Sequence, residues 1–272
     1  MLKIKNLNYR PEESLNLLWQ GLDFQLESGK IYALIGQNGI GKTTLINMLC
    51  GVLRPTNGDI YWEDRSVYQS RRTTRDYLKQ VGYCIQDSEN LFFSKTVKDE
   101  LSYHHFGDYS KVAKELQLDH LMDRSPFELS KGQQRRLELA IMMLKSPAFL
   151  FCDEITAGLD TRSLELVMRV LLLYKRRHPV VIVTHNLAEA LRFCDEILFL
   201  DSNGIEKKTV SDVLNNPLVI KEKGLLWPEI FDICQILSDS RILPPNTFTR
   251  NNQELARILV EVIKENRSEG ND

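Results

Sequence analysis

The sequence predicts an α/β fold: a mostly parallel sheet, a helical subdomain inserted into it, and a small helical module at the C-terminal end. Three observations carry this prediction. Short apolar, β-branched runs alternate with helix-period segments, the pattern of parallel strands joined by crossover helices. The stretch 87–146 is rich in helix formers and holds no convincing strand run. From about residue 216 onward the pattern becomes helical again.

Taken in order, Lys30–Ile35 is a buried strand that stops at Gly36, and a glycine-rich turn leads to a helix over Thr43–Leu49. The inserted stretch contains the helical segments Lys111–Leu118 and Lys131–Lys145. Strand signals return at Ala148–Cys152, Val180–Thr184 and Ile197–Leu200, with a helix pattern over Ser163–Tyr174. Near the C-terminal end, Pro228 suits a first helical turn, and Ile230, Ile233, Cys234 and Leu237 follow at helical spacing. Pro244-Pro245 separates this helix from a second one. Asn251-Asn252-Gln253-Glu254 reads there as a capping box ahead of Leu255, Ile258, Leu259, Val262 and Ile263.

Composition narrows the function classes. With 43% hydrophobic and 26% charged residues in 272, the chain is neither disordered nor fibrous. Its 35 basic and 37 acidic side chains nearly cancel, so nothing draws it to nucleic acid in general. The apolar runs are strand-length, short of the about 20 residues a spanning helix needs. No apolar segment follows the first lysines, which argues against a secretory leader. Five cysteines are scattered without a C-x-x-C pair and read as free buried thiols.

Two motifs carry chemistry. Gly36-Gln37-Asn38-Gly39-Ile40-Gly41-Lys42-Thr43 fits G-x-x-x-x-G-K-[ST] between a strand and a helix. Glycines let backbone N–H groups turn inward around phosphate oxygens, and the helix N-terminus adds its positive dipole end. Lys42 is placed to reach the outer phosphates and the Thr43 hydroxyl to ligate Mg2+. The second motif is Asp153-Glu154 at the end of an apolar strand, where open α/β sheets bind ligands. Asp153 is placed to hold Mg2+ and Glu154 to polarise an attacking water. A solvated acidic pair opening a loop is the alternative.

Leu129-Ser130-Lys131-Gly132-Gln133 precedes that acidic strand, and with the phosphate loop it resembles the signature of the ATP-binding-cassette (ABC) family. The resemblance spans roughly residues 1–215. It includes Gln86 after Val81–Ile85, Ala157-Gly158-Leu159-Asp160, and His185 after Val180–Thr184. It implies a P-loop NTPase (RecA-like) core that binds and hydrolyses ATP with Mg2+. By resemblance, the loop residues through Thr44 bind ATP together with Tyr9, Ser130, Gly132, Gln133 and Asp160; Gln86 contacts Mg2+; and His185 contacts the γ-phosphate. Outside that resemblance, Ser130 is an ordinary helix cap, Tyr9 an edge-strand tyrosine and His185 a strand-end histidine. His104-His105, which lacks metal-ligand spacing, reads as surface.

The family's signature completes the ATP site of an opposing subunit, so the resemblance implies pairing with a second ABC ATPase subunit, a copy of this chain or a relative. The run Asp87–Leu101 after Gln86 and the segment Gly224–Glu229 are similar to the energy-coupling-factor (ECF) branch, which serves vitamin and metal-ion uptake. Departures are Lys131 for the first signature glycine, Ile155 in place of the usual proline after Asp153-Glu154, and Ser88 and Leu91. None removes a phosphate ligand. The implied setting is the cytoplasmic face of the cell membrane. The chain would attach there through a transmembrane coupling protein, with a substrate-binding membrane protein as a further candidate partner. Gln86–Leu101 would be the docking segment, in which Phe92 and Phe93 are either core or exposed. An exporter ATPase and a cytosolic ABC assembly factor are the rival expectations.

Overall fold

The computed structural model describes residues 1–11, 16–85, 92–104 and 107–269. Gln86 and His105 lie outside the described residues. The strands are β1 (Leu2–Tyr9), β2 (Trp19–Leu26), β3 (Ile31–Ile35), β4 (Asn57–Trp62), β5 (Arg65–Ser66), β6 (Val81–Cys84), β7 (Phe149–Asp153), β8 (Val180–Val183), β9 (Glu196–Asp201) and β10 (Gly204–Thr209). The helices are α1 (Lys42–Leu49), α2 (Arg71–Leu78), α3 (Val97–His104), α4 (Ser110–Glu115), α5 (Lys131–Leu144), α6 (Thr161–Tyr174), α7 (Leu187–Phe193), α8 (Val210–Asn215), α9 (Leu218–Glu222), α10 (Glu229–Asp239) and α11 (Asn252–Glu269).

The main sheet runs β10-β9-β3-β8-β7-β6. Its strands are parallel except β10, which pairs antiparallel with β9. Every residue of β3, β7 and β8 is buried, which explains why these strands read as continuous apolar runs rather than alternating ones. The two faces of the sheet feed two cores. Ile31, Ala33 and Ile35 join one, which extends into α3, α5 and α6. Tyr32 and Leu34 join the other, with α1 and the N-terminal strands.

Sequence patterning did not disclose the second sheet, an antiparallel one of order β2-β1-β4-β5. The reason is local. The pairing of β1 shifts register against both neighbours, and Asn6 takes a positive φ of 47°. Such irregularities break the strict alternation that marks a half-buried strand.

Between residues 92 and 146 the described residues form α3, α4, α5 and two short 3-10 turns, and no strand. Phe92 and Phe93 divide: Phe92 is 4% exposed and Phe93 57%. Glu100, fully buried, sets this divide by accepting the N–H groups of Phe93 (3.1 Å) and Ser94 (2.8 Å). His104 is not a free surface residue. Its ring stands 3.3 Å from Glu100 and is half-buried.

At the C-terminal end Pro228 caps α10 from outside rather than forming its first turn. Trp227, Phe231 and Phe248 pack ring to ring with centroids 5.0–6.2 Å apart. The cap of α11 also differs from expectation. Asn251 Oδ1 accepts the N–H groups of Gln253 and Glu254, both at 3.0 Å. The return bond from Glu254 goes to the Arg250 N–H at 2.7 Å, one residue earlier than a capping box requires.

Candidate nucleotide site

The C-terminal ends of β3, β7 and β8 converge, and the loops leaving them line one cavity of about 520 Å3. The loop after β3 turns because its glycines permit it. A Cβ on Gly36 would lie 2.4 Å from the Leu200 carbonyl oxygen. Gly41 takes φ 97° and would set a Cβ 2.9 Å from the Trp19 indole. Trp19 is buried and donates its Nε1–H to the Ile40 carbonyl at 2.7 Å, so β2 fixes the loop from beneath. The N-terminus of α1 carries no side-chain cap, which leaves its first N–H groups available to an anion.

Lys42 curls back to donate to the Gly36 and Gln37 carbonyls at 2.9 and 3.0 Å. Burial lowers its pKa, opposed by the negative charges of Glu154 and Asp153. Thr43 donates its hydroxyl to Asp153 Oδ2 at 3.2 Å. Asp153 is 2% exposed. Burial raises its pKa most, the Thr43 hydroxyl opposes this, and the neighbouring Glu154 adds to the rise. A buried carboxylate beside a hydroxyl suits a hard divalent cation, because both donors are oxygens.

Glu154 follows at φ 50°, a strained conformation for a non-glycine residue that costs roughly 1–3 kcal/mol and clusters at active sites. Its N–H is held by the Val183 carbonyl at 3.0 Å, which ties the end of β7 to β8. One carboxylate oxygen, Oε1, meets His185 Nδ1 at 3.1 Å. The other, Oε2, is buried with no hydrogen-bond partner among the described residues. A carboxylate that lines the cavity and is oriented by His185 can accept a proton from a water there.

The structure divides the other expected residues. Asn38, Gly39, Gly41, Lys42, Thr43, Thr44, Asp153, Glu154 and His185 line the one cavity. Gly36, Gln37 and Ile40 face a small neighbouring one of about 110 Å3 with Asp201 and Lys223. Ser130, Gln133 and Asp160 line a third, of about 280 Å3, with Arg136 and Arg162. Tyr9 ends β1 outside the first cavity, its ring 6.5 Å from that of Trp19.

Around the third cavity two helix caps set the geometry. Ser130 caps α5 in a reciprocal box: its hydroxyl accepts the Gln133 N–H at 3.4 Å, and Gln133 Oε1 accepts the Ser130 N–H at 2.9 Å. Asp160 caps α6 through the Ser163 N–H at 2.8 Å, a bond that holds its carboxyl below the usual range. Gly132 packs against Ser163, whose Oγ would lie 2.9 Å from an added Cβ. Trp19 escaped the sequence reading because nothing local marks an indole that supports a loop 21 residues away. Lys223 escaped it for the same reason. Its carbonyl accepts the Gln37 amide at 3.5 Å, and its ammonium grips Asp201 at 2.8 Å and Glu206 at 2.9 Å.

Comparisons with known proteins give the family of this chain. The family model described as "ABC transporter" matches residues 19–157. An energy-coupling factor transporter ATP-binding protein, EcfA2 of Streptococcus pneumoniae serotype 2, is 32% identical over 88% of the chain and 92% of its own length. EcfA3 of Clostridium perfringens, named likewise, is 26% identical over 88% of each chain. Among solved structures, cbiO1 of Clostridium perfringens superposes with a TM-score of 0.73 at 25% identity. That alignment covers 86% of this chain and 98% of cbiO1, which is described as part of the ABC transporter complex cbiONQ.

Proposed function

This chain belongs to the ABC transporter family and is an ATPase, and from that premise we propose that it powers an ECF-type importer of a vitamin or metal ion. The observation that carries the catalytic assignment is Glu154, one oxygen held by His185 and the other buried without a partner among the described residues. In this reading the loop 36–43 and the start of α1 bind the phosphates through their N–H groups, with Thr44 and Asn38 at the rim. Lys42 exchanges its two carbonyl partners for phosphate oxygens. Glu154 accepts a proton from water as that water attacks the γ-phosphorus. The bond to the bridging oxygen breaks, giving ADP and inorganic phosphate, and His185 keeps the carboxylate aimed. Thr43 and Asp153 are the oxygen donors that fit Mg2+, with Gln86 a further candidate. The ion would neutralise phosphate charge as the bond breaks.

The separation of the Ser130–Gln133–Asp160 cavity from the phosphate cavity supports pairing. A second ATPase subunit, a copy or a relative, would bring its signature over this chain's phosphate loop and receive this chain's signature in return. Residues 1–215 would form that ATP-binding domain and 216–272 a helical extension, with Tyr9 stacking on adenine. The exposed pair Phe93 and Tyr103, rings edge to face at 4.6 Å, supports docking of a transmembrane coupling protein. Among the described residues no helix is long and apolar enough to cross a membrane, so attachment would be peripheral, through that partner on the cytoplasmic side.

The test is Glu154→Gln, which keeps size and the His185 contact but removes the base. ATP binding should persist while turnover falls by about 100-fold or more. Turnover near wild type would overturn the assignment. Co-purification from membranes with a partner identified by mass spectrometry would support import. A chain recovered only in the soluble fraction would count against it.

A further inference from the structure

Away from the phosphate cavity, α5 carries a second buried pair of charges. Arg135 and Glu138 lie nearly one turn apart, with Nη1 3.0 Å from Oε2 and side chains 11% and 1% exposed. Both reach the same backbone. Glu138 Oε1 accepts the Ile85 N–H at 2.9 Å, and Arg135 Nη1 donates to the Ile85 carbonyl at 2.5 Å. One residue at the end of β6 is therefore gripped on both of its peptide groups by neighbouring side chains of one helix.

Packing alone does not explain this arrangement. Burying two charges loses hydration that a well-packed apolar pair would not, and such pairs add little stability on balance. Their value lies in geometry, since they define one register between a helix and a strand end. That register matters because of what lies at either side. Cys84, just before Ile85, pairs in register with Cys152 of β7, so Ile85 runs beside Asp153 and the start of the acidic pair. At the other side, α5 is capped by Ser130, about 12 Å along the axis from Glu138 at the usual helical rise.

We propose that Arg135 and Glu138 are positioning residues for ATP hydrolysis, a clamp that transmits movement of the Ser130 end of α5 through Ile85 to the Asp153-Glu154 end of β7. This rests on the proposed function, since it presumes that Ser130 meets nucleotide and that Glu154 acts on it. The physical element is a helix and a strand end joined by two hydrogen bonds from α5 side chains to the Ile85 backbone.

Three variants of the full-length chain test it. Arg135→Met with Glu138→Leu removes the grip and both members of the ion pair together, so the fold should survive. Glu138→Gln keeps an acceptor for the Ile85 N–H. Glu138→Ala removes that acceptor. The readouts are amide hydrogen exchange at Ile85, MgATP binding, and steady-state kcat and KM. The double variant should exchange at Ile85 about tenfold faster or more, bind MgATP within about twofold of wild type, and lose about tenfold in kcat with KM little changed. Glu138→Ala should lose at least as much in kcat and also lower Tm, because Arg135 is left buried without its carboxylate, and Glu138→Gln should restore kcat to within about threefold of wild type. The proposal is overturned if Ile85 exchanges no faster in the double variant, or if it exchanges faster while kcat stays at the wild-type value. It is also overturned if Glu138→Gln is as slow as Glu138→Ala. Failure of the parent reading shows differently. A wild-type chain that binds no MgATP would sink the proposed function, and equal Ile85 exchange in wild type and variants would still sink the clamp by itself.

Discussion

Two helix N-termini in this chain, one lining the phosphate cavity and one the separate Ser130 cavity, are built in opposite ways. The start of α1 has a left-handed glycine, Gly41, and no side-chain cap. Its support comes from other parts of the chain: Trp19 beneath Ile40, and Lys223 beside Gln37. The start of α5 caps itself, through Ser130 and Gln133 in a reciprocal box. The first holds its N–H groups ready for an anion. The second has already satisfied part of its own demand and must give up the Ser130 bond, at 3.4 Å a long one, to engage a ligand. The difference fits a division of labour in which the α1 end grips nucleotide whenever it is present and the α5 end joins only on closure.

The largest expected effect lies at the first terminus. Lys42→Ala removes the ammonium that lines the phosphate cavity, and both MgATP affinity and turnover should fall by about 100-fold or more, as read by calorimetry and phosphate release. Ser130→Ala should act differently. Loss of the cap costs about 1 kcal/mol of stability, MgATP binding should hold, and turnover should drop by roughly tenfold. If the two variants lost binding equally, the contrast between the termini would collapse.

The smallest effect concerns the outer brace. Burial pushes the Asp201 carboxyl up, but the hydrogen bond and charge of Lys223, with the Asn203 and Gly204 N–H groups, hold it below the usual range. Lys223 also acts on Glu206, where Lys208 acts first and Lys223 second. Carboxyls lowered in this way contribute stability that is fully present above about pH 5 and lost as pH falls through their folded values. Lys223→Met should therefore lower Tm near pH 7 and matter progressively less toward about pH 3. A pH-independent difference in Tm would show that the brace acts by packing alone.

The sequence disclosed what is contiguous. The phosphate loop, the acidic end of β7 and the cap at Ser130 each lie within a few residues, and local rules reach them. What it hid depends on distant parts of the chain. The antiparallel sheet went unread because irregular pairing in β1 scrambled its period. The support of Ile40 by Trp19, the grip of Arg135 and Glu138 on Ile85, and the brace of Lys223 on Gln37 join residues that no window contains together. The split between Phe92 and Phe93 was likewise invisible. Two adjacent phenylalanines have the same chemistry, and only the buried Glu100 decides which one turns inward.

All five cysteines are buried, and burial pushes the Cys194 thiol up to about 12. Burial keeps all five thiols from a reagent in solution while the chain stays folded. The rate at which an added alkylating reagent consumes these thiols would then report how often each region opens, with Cys234 watching the C-terminal helices while Cys84 and Cys152 watch the main sheet. The molecule thus carries a built-in clock for its own breathing, readable without any introduced label.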